Sequence, residues 1–286
     1  MNDAIIETGP VFQRDAARID NPLARPGNVP GHRVRLLIDG GDAAFSDPFL
    51  VLAEDWMPRG AFSLHPHRGI ETVTFVIDGS VEHFDSAGHR GIIAAGDAQW
   101  MTAGRGVRHE ENVPEGTVAH TLQLWVNLPA SAKMIEPRYQ DLLGAAMPVR
   151  RETGVEVRVF SGESGGVASS TLNHVPVTMI EARIEPGACF RQLLPAGHNG
   201  FVHVLDGHAR IGAAGTSVPA GGLAWLTRSD APGMSELAVA AADTPVRALL
   251  VAGRPLREPV VFGGPFVMNT QAEIQQAFAD YRAGRF

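Results

Sequence analysis

The chain has one cysteine, Cys189, among its 286 residues. A single thiol excludes an intramolecular disulfide and any cysteine-rich zinc site, and such scarcity is typical of proteins from a reducing compartment. We therefore expect a cytoplasmic protein in which Cys189 is an inert core or surface residue.

Positive charge is also scarce, because 24 Lys and Arg residues are outnumbered by 31 Asp and Glu residues, which makes the formal net charge -7. A chain with this balance has little attraction for a phosphate backbone, so we expect no direct binding of nucleic acid. Long apolar runs are absent too: no uncharged stretch reaches the roughly 18 apolar residues of a membrane-spanning helix. The first 22 residues include acidic groups and lack a continuous apolar stretch. We expect neither a membrane span nor an export signal.

Turn-forming residues, by contrast, are abundant, with 32 glycines and 20 prolines. Turn signals such as IDGG, IDGS, EPGA and LDGH recur along the chain. Short runs rich in Val, Ile, Leu, Thr and Phe lie between these signals, as expected for strands joined by tight turns. The pattern predicts an all-β sandwich or barrel.

Helix is predicted in two places only. A weak helical pattern covers Ser131 to Leu143 and is interrupted by Pro137. A clear one follows Asn269, which, like its neighbour Thr270, can cap a first turn. Three apolar residues then recur at helical spacing on one face: Ile274, Phe278 and Tyr281. Because a helix this short is marginal in water by itself, we expect that face to pack on a barrel.

An internal repeat divides the chain into two similar parts. The segment TFVIDGSVEH (74–83) matches VHVLDGHARI (202–211), and further on AAGDAQWMT matches PAGGLAWLT at similar spacing. A period of more than a hundred residues is too long for a solenoid and indicates two copies of one barrel. We predict an N-terminal barrel over residues 1–150 and a C-terminal barrel over residues 151–286.

Only the first copy contains a histidine pair. Alignment of the Asp-Gly turns of the two copies sets His65 and His67 opposite Leu193 and Pro195. In an extended strand, side chains two residues apart leave the same face, so the two imidazoles can converge on one ion. We therefore predict a metal site in the first copy and none in the second.

A second pair with the same spacing, His109 and Glu111, follows about forty residues later, and Glu110 between them would point away. Three neutral imidazoles and one carboxylate suit a divalent first-row metal such as iron, manganese, nickel, copper or zinc, and suit calcium poorly. An octahedral ion with four protein ligands keeps two positions open, where substrate or O2 could bind.

Other residues compete with this interpretation. An isolated HxH is as easily a solvated surface pair as a ligand pair, and only the second pair favours metal. Glu71 is a competing carboxylate because it has the parity of His67, unless Arg68-Gly69 breaks the register. Three further histidines are expected at turns or on the surface: His83, His89 and His120. Four large apolar residues could line a pocket but are more typical of core: Phe75, Trp100, Met101 and Trp125.

The chain resembles the pirin family of the cupin superfamily over nearly its whole length. The resemblance rests on DPFLVL, HPHRGIETVTFVIDG, GDAQWMTAGRGVRHEE, HTLQLWVNLP and the C-terminal REPVVFGGPFVMNTQAEIQQAFADYRAGRF. It implies two cupin barrels in tandem, of the double-stranded β-helix or jelly-roll type, with a C-terminal helix. It also implies one metal ion, usually iron, held in the N-terminal barrel by the residues here numbered His65, His67, His109 and Glu111.

Two classes of function follow from the resemblance. The first is a quercetin 2,3-dioxygenase-type oxidoreductase, in which Glu111 removes the hydroxyl proton of a flavonol and O2 adds to the activated ring. The second is a non-enzymatic metal-binding regulator or interaction partner, similar to a transcriptional co-regulator, whose effects would pass through a protein partner. A metal-binding barrel with a different small substrate is a third possibility.

Overall fold

The structure is a computed structural model that describes residues 11–85, 88 and 90–286, so His89 lies outside the described residues. The strands that precede residue 145 are β1 (Phe12–Gln13), β2 (Ala16–Asp20), β3 (Arg25–Pro26), β4 (Arg33–Ile38), β5 (Phe49–Pro58), β6 (Phe62–His67), β7 (Ile70–Asp78), β8 (Ser80–Asp85), β9 (Arg90–Ala94), β10 (Ala98–Thr102), β11 (Val107–Asn112), β12 (Val118–Asn127) and β13 (Arg138–Leu142). The strands that follow are β14 (Val149–Glu152), β15 (Val155–Ser161), β16 (Glu163–Ser164), β17 (Val167–Ala168), β18 (Val177–Ile184), β19 (Cys189–Pro195), β20 (Asn199–Asp206), β21 (His208–Ile211), β22 (Thr216–Pro219), β23 (Leu223–Leu226), β24 (Met234–Ala241), β25 (Val246–Gly253), β26 (Val261–Gly263) and β27 (Phe266–Met268). The helical elements are α1 (Ala43–Ser46), a 3₁₀ turn (Ala130–Ala132) and α2 (Gln271–Arg282).

Each half of the structure contains a large sheet and a small sheet, and β16-β17 and β26-β27 form two further two-stranded sheets. The large sheet of the first half has the order β13-β10-β7-β12-β5-β4-β3, and its small sheet has the order β6-β11-β8-β9. In the second half the corresponding orders are β2-β23-β20-β25-β18-β15-β14 and β19-β24-β21-β22, with β1 beside β24. The two halves therefore share one strand order, and the prediction of two jelly-roll halves with a C-terminal helix is confirmed.

The halves pack against each other through an apolar layer between their large sheets. Strand alternation turns Phe75 and Trp100 toward this layer, where both are fully buried. The Phe75 ring meets Phe160 of the second half edge to face, with centroids 5.4 Å apart. Phe49 and Phe201 make a similar contact at 5.3 Å. Such aromatic pairs add about 0.5–1.5 kcal/mol to the burial of apolar area, so Phe75 and Trp100 are core residues.

The N-terminal segment joins the second half. Strand β2 pairs with β23 and takes the edge position that β13 occupies in the first half. Just before it, the Arg14 guanidinium is fully buried and donates hydrogen bonds to Ser235 Oγ and to the carbonyl oxygens of Pro195 and His198. A buried guanidinium is tolerated when its N–H groups are satisfied in this way. The predicted division at residue 150 stays a prediction, and this segment crosses it.

The C-terminal helix is well defined by its cap. Thr270 is the N-cap, and its side chain and that of Glu273 form a reciprocal capping box. Ile274 and Ala277 are buried against the β26-β27 hairpin, while Phe278 remains 38% exposed. The predicted C-terminal helix is thus confirmed, and it packs on this hairpin. Neither α-helix in the described ranges is long and apolar enough to cross a membrane.

The prediction of a weak helix over Ser131 to Leu143 is wrong. The segment begins with the 3₁₀ turn, and Arg138–Leu142 forms β13, which pairs antiparallel with β10. Pro137 cannot donate a helical hydrogen bond, and the residue before a proline is driven toward extended backbone. Strand pairing at the sheet edge then decides the structure of the residues that follow.

An ion pair fastens the C-terminal helix to the first half. Arg68, next to His67 in the chain, places its Nη1 2.8 Å from Asp280 Oδ2 of α2, and the two side chains are 4% and 13% exposed. The Arg68 guanidinium also lies 4.3 Å from the centroid of the Phe286 ring. Hydrogen bonds from Arg285 and Arg68 hold the pKa of Asp280 well below its usual range, so it is ionised at neutral pH.

We predict that Asp280→Asn lowers the free energy of unfolding by about 2 kcal/mol, because Arg68 and Arg285 would lose the charged acceptor of their hydrogen bonds. Chemical denaturation measures this difference. Asp230→Asn is the control, since Asp230 pairs with Arg257 on the surface, where the side chains are 83% and 70% exposed, and exposed pairs contribute little. Equal effects of the two substitutions would contradict a stabilising role for the buried pair.

Candidate metal centre

Three histidines of the first half converge because β6 and β11 pair antiparallel. The register sets His65 opposite His109 and His67 opposite Val107. One ligand atom from each of His65, His67 and His109 lies within 4.8 Å of the others. His67 and His109 are 3% and 1% exposed, whereas His65 is partly exposed. The three predicted histidines are thus brought to one point, and His65 is the most exposed of them.

Backbone carbonyls orient two of these imidazoles. His65 Nδ1 lies 2.8 Å from Ser63 O, and His67 Nδ1 lies 3.3 Å from Pro265 O, which belongs to the C-terminal hairpin. Because a carbonyl oxygen can only accept a hydrogen bond, each Nδ1 carries the proton and each Nε2 keeps its lone pair. Metal-ligating histidines are commonly fixed by such bonds from the second nitrogen.

The electrostatics also suit a cation. Burial, with the neighbouring His65, lowers the pKa of His67 to about 3. Burial and the nearby His67, His65 and His83 hold the pKa of His109 well below its ordinary value. Both rings are therefore neutral at pH 7, the form that donates a lone pair to a metal. His109 Nε2 is buried and finds no hydrogen-bond partner among the described residues, and a metal ion at this point would satisfy it.

Glu111 lies beside the three histidines but outside their group. It faces inward and is 4% exposed, as its spacing from His109 predicts. A register shift between His109 and Glu111 sets Glu111 opposite Phe62. Its Oε1 accepts a hydrogen bond from Thr74 Oγ1 at 2.8 Å, and its Oε2 accepts one from Gln123 Nε2 at 3.0 Å. The carboxylate is therefore held in place within the same interior, and its role as a fourth ligand remains a prediction.

The other two carboxylates considered from the sequence face elsewhere. Glu71 points toward the layer between the halves, where its Oε1 accepts a hydrogen bond from Thr102 at 2.7 Å. Gly69, at φ +80°, breaks the strand between His67 and Glu71, so the parity that made Glu71 a competitor is lost. Glu110 turns outward and accepts a hydrogen bond from Asn112, in agreement with the prediction.

Two histidines assigned to turns or the surface are buried or partly buried, and only His83 contacts a candidate ligand. His83 is 4% exposed, and its Nε2 lies 3.1 Å from His109 Nδ1. The alternation of buried residues along β8, with Val81, His83 and Asp85 inward, is the signal that could have revealed it. His120 is partly buried, bonds Glu54 at 2.8 Å and stacks on Trp56.

Aromatic and apolar residues complete the wall of the site. The indole of Trp125 meets the His67 ring edge to face at 5.1 Å, so Trp125 does line the site. Met101 belongs to a small buried cluster that Trp125 packs against. Of the four residues considered for a pocket, Trp125 thus contacts a candidate ligand, while Phe75 and Trp100 lie in the core between the halves.

The second half has none of the candidate ligand residue types at the equivalent positions. Because Leu194 pairs with Ser235 as His67 pairs with Val107, the structural counterparts of His65 and His67 are Gln192 and Leu194. The alignment that predicted Leu193 and Pro195 as the counterparts is therefore wrong by one residue, because the loop after β19 is one residue longer than the loop after β6. By the same register, the positions equivalent to His109 and Glu111 are two core residues of the second half, Leu237 and Val239. At three of the four equivalent positions the second half thus has an apolar core residue.

A buried lysine stabilises the chain beside the site. Lys133, the only lysine in the sequence, is 1% exposed and donates to Gly69 O at 2.8 Å, Asn127 Oδ1 at 2.7 Å and Val267 O at 3.0 Å. Burial lowers its pKa to about 8, so at pH 7 the ammonium still has three protons for three acceptors. It thereby joins the bend after His67 to the C-terminal hairpin.

We predict that Lys133→Met lowers the free energy of unfolding by about 2 kcal/mol, because three buried acceptors lose their donor. Urea denaturation measures the loss. Arg105→Met is the control, since its guanidinium pairs with Glu136 at an exposed position and should matter little. A Lys133→Met protein as stable as the wild type would show that the ammonium is dispensable.

Comparison with known proteins agrees with this architecture. The pirin family model matches residues 41–126, and the model for the pirin C-terminal cupin domain matches residues 179–286. Human pirin is 42% identical over 258 residues, which are 88% of this chain and 87% of that protein. The chain belongs to the pirin family. The resemblance seen in the sequence is thus confirmed, and the tandem jelly-roll halves are cupin domains.

Solved structures extend the comparison. A crystallised protein from Geobacillus kaustophilus is 47% identical, with a TM-score of 0.85, and the match covers 88% of this chain and all of that one. The quercetin 2,3-dioxygenase from Acinetobacter baumannii is 32% identical, with a TM-score of 0.83, and the match covers 96% of this chain and 98% of that one. The solved structures that share this fold thus include a quercetin 2,3-dioxygenase.

Proposed function

We propose that this member of the pirin family is a metal-dependent quercetin 2,3-dioxygenase-type enzyme that opens flavonols with O2. The observation that carries the proposal is the convergence of three imidazoles, two of them buried and neutral, beside a buried, hydrogen-bonded carboxylate. The likeness to the Acinetobacter baumannii enzyme supports the same chemistry. In a dioxygenation both atoms of O2 enter the products, so no external reductant is required.

His65, His67 and His109 would hold one divalent transition metal, with Glu111 as the fourth ligand. The family resemblance favours Fe(II), while the donor set also accepts manganese, nickel, copper or zinc. When bound, the metal supplies a Lewis acid to the substrate oxygens. The chain itself supplies the orientation of the rings through Ser63 and Pro265.

Glu111 would take the proton of the flavonol hydroxyl. The imidazoles commit their lone pairs to the metal, so the carboxylate is the group of the proposed set that can still accept a proton. Thr74 and Gln123 hold both of its oxygens, which limits the movement needed to meet the substrate. Trp125, beside His67, offers an aromatic wall for a flat ring system.

We predict that the protein binds one divalent ion per chain and that His65→Ala combined with His109→Ala abolishes binding. Metal analysis of protein purified without added metal, followed by calorimetric titration, measures the stoichiometry. The control is His120→Ala combined with His208→Ala, which removes two histidines outside the site and should leave it intact. Binding of two ions per chain, or binding that survives the first pair of substitutions, would refute this assignment.

We predict that Glu111→Gln lowers O2 uptake with quercetin by about 100-fold or more, because a neutral amide is a very poor base. Metal affinity should fall only moderately, since three imidazoles remain. Glu110→Gln, on the outward face of the same strand, should change neither quantity strongly. Activity of Glu111→Gln close to the wild-type level in excess metal would exclude Glu111 as the base.

The oxygenase proposal has a direct test in the wild-type protein. Protein loaded separately with Fe(II), Mn(II), Ni(II) and Cu(II) should consume O2 when quercetin is added in at least one of these forms. If none does, the flavonol proposal falls. A metal-binding regulator that acts through a protein partner then becomes the leading proposal, with the same four ligands.

A further inference from the structure

His109 differs from the other two candidate ligands in what orients it. His65 and His67 meet backbone carbonyls, which can only accept a hydrogen bond. His109 Nδ1 instead meets another imidazole, at 3.1 Å from His83 Nε2. An imidazole nitrogen can donate or accept, depending on which ring nitrogen has the proton. The contact therefore permits two arrangements, and only one of them leaves His109 able to bind a metal.

In the first arrangement His109 Nδ1 donates to His83 Nε2, and the lone pair of His109 Nε2 faces the point where the three rings converge. In the reverse arrangement His83 donates, and a proton on His109 Nε2 blocks that point. His109 Nε2 has no acceptor among the described residues. Within the described part of the chain, His109 Nε2 of metal-free protein is unpaired in both arrangements, as a lone pair in the first and as an N–H in the second, at a cost of about 1–3 kcal/mol either way. The contact with His83 therefore decides between the two arrangements.

Several contacts keep His83 in position for this role. The pairing of β8 with β11 sets His83 opposite Glu111 and Asp85 opposite His109, so all four side chains face one interior. The Tyr139 ring packs on the His83 ring with centroids 4.9 Å apart. Burial, with the charge and hydrogen bond of Asp85, raises the pKa of Tyr139, so its hydroxyl stays protonated at neutral pH.

We propose that His83 is a positioning residue that sets the tautomer of His109 and so makes it a metal ligand. The inference deepens the proposed function and rests on its metal site. It assigns a role to a side chain that would never touch metal or substrate. Ring position alone would not suffice, because the acceptor nitrogen of His83 is what selects the productive form of His109.

The first experiment uses metal-free protein and 15N NMR of the histidine side chains, with the His109 signals assigned by their loss in His109→Ala. In the wild type, His109 should have its proton on Nδ1. In His83→Phe, which keeps an aromatic ring but no acceptor, the proton should shift toward Nε2, and His83→Leu should behave alike. His83→Gln, whose amide oxygen can accept, should retain the wild-type form. A proton on Nε2 in the wild type, or no shift in His83→Phe and His83→Leu, would overturn the proposal.

The second experiment measures Ni(II) affinity by competition with a chelator. His83→Phe and His83→Leu should bind Ni(II) about 10- to 100-fold more weakly, and His83→Gln should stay within a few-fold of the wild type. His120→Phe, a substitution outside the site, is the control and should bind normally. Unchanged affinity in His83→Phe overturns the role of His83 and leaves the metal site standing. If the wild type itself binds no Ni(II) or other divalent ion, the proposed function fails, while the tautomer measurement still decides the present inference.

Discussion

The antiparallel pairing of β6 with β11 is the constraint on which the candidate site depends. It brings two short histidine motifs, more than forty residues apart in the chain, to within 4.8 Å of each other. Because side chains alternate along a strand, a slip of one residue would turn every ligand of that strand to the opposite face. The surrounding contacts, including Lys133 on the bend after His67 and Pro265 on the His67 ring, hold that register in place.

The two cupin domains use the same strand order for opposite purposes. In the second, the positions equivalent to three of the candidate ligands are Leu194, Leu237 and Val239, and they belong to a continuous apolar core. In the first, the interior is lined by polar groups that must be paired to remain buried, as Glu111 is by Thr74 and Gln123. The second domain gains stability from apolar packing, and the first gives up part of that packing for a polar interior.

Much of this site could be predicted from the sequence because strand parity is a local property. The spacing in HPH and HEE was enough to group His65, His67, His109 and an inward Glu111 and to turn Glu110 away. Parity failed for Glu71, since Gly69 interrupts the strand with a left-handed backbone that counting does not reveal. Parity along β8 does turn His83 inward, but it cannot show that His83 contacts His109, because this depends on which strand lies beside β8.

Fold class and strand content were likewise accessible, because turn residues and β-branched runs mark strands directly. The places where the two ends of the chain pack were not, since nothing in the local pattern indicates that β2 pairs with β23 or that the C-terminal hairpin lies against Arg68. The segment over Ser131 to Leu143 was misassigned for a related reason: its conformation is decided by its partner β10. Contacts distant in sequence decided these cases.

The N-terminal strand β2 pairs with the second half, and the C-terminal hairpin contacts the first half. These contacts limit when each domain can complete its fold during synthesis of the chain. A nascent chain that has just completed β11 already contains all the histidines of the site, yet the carbonyl that orients His67 belongs to residue 265. Likewise, β2 is made early and must wait for β23 before it has a neighbour. Neither domain can complete its fold until most of the second half of the chain has been synthesised. An ion that arrived earlier would meet rings not yet held in their final orientation.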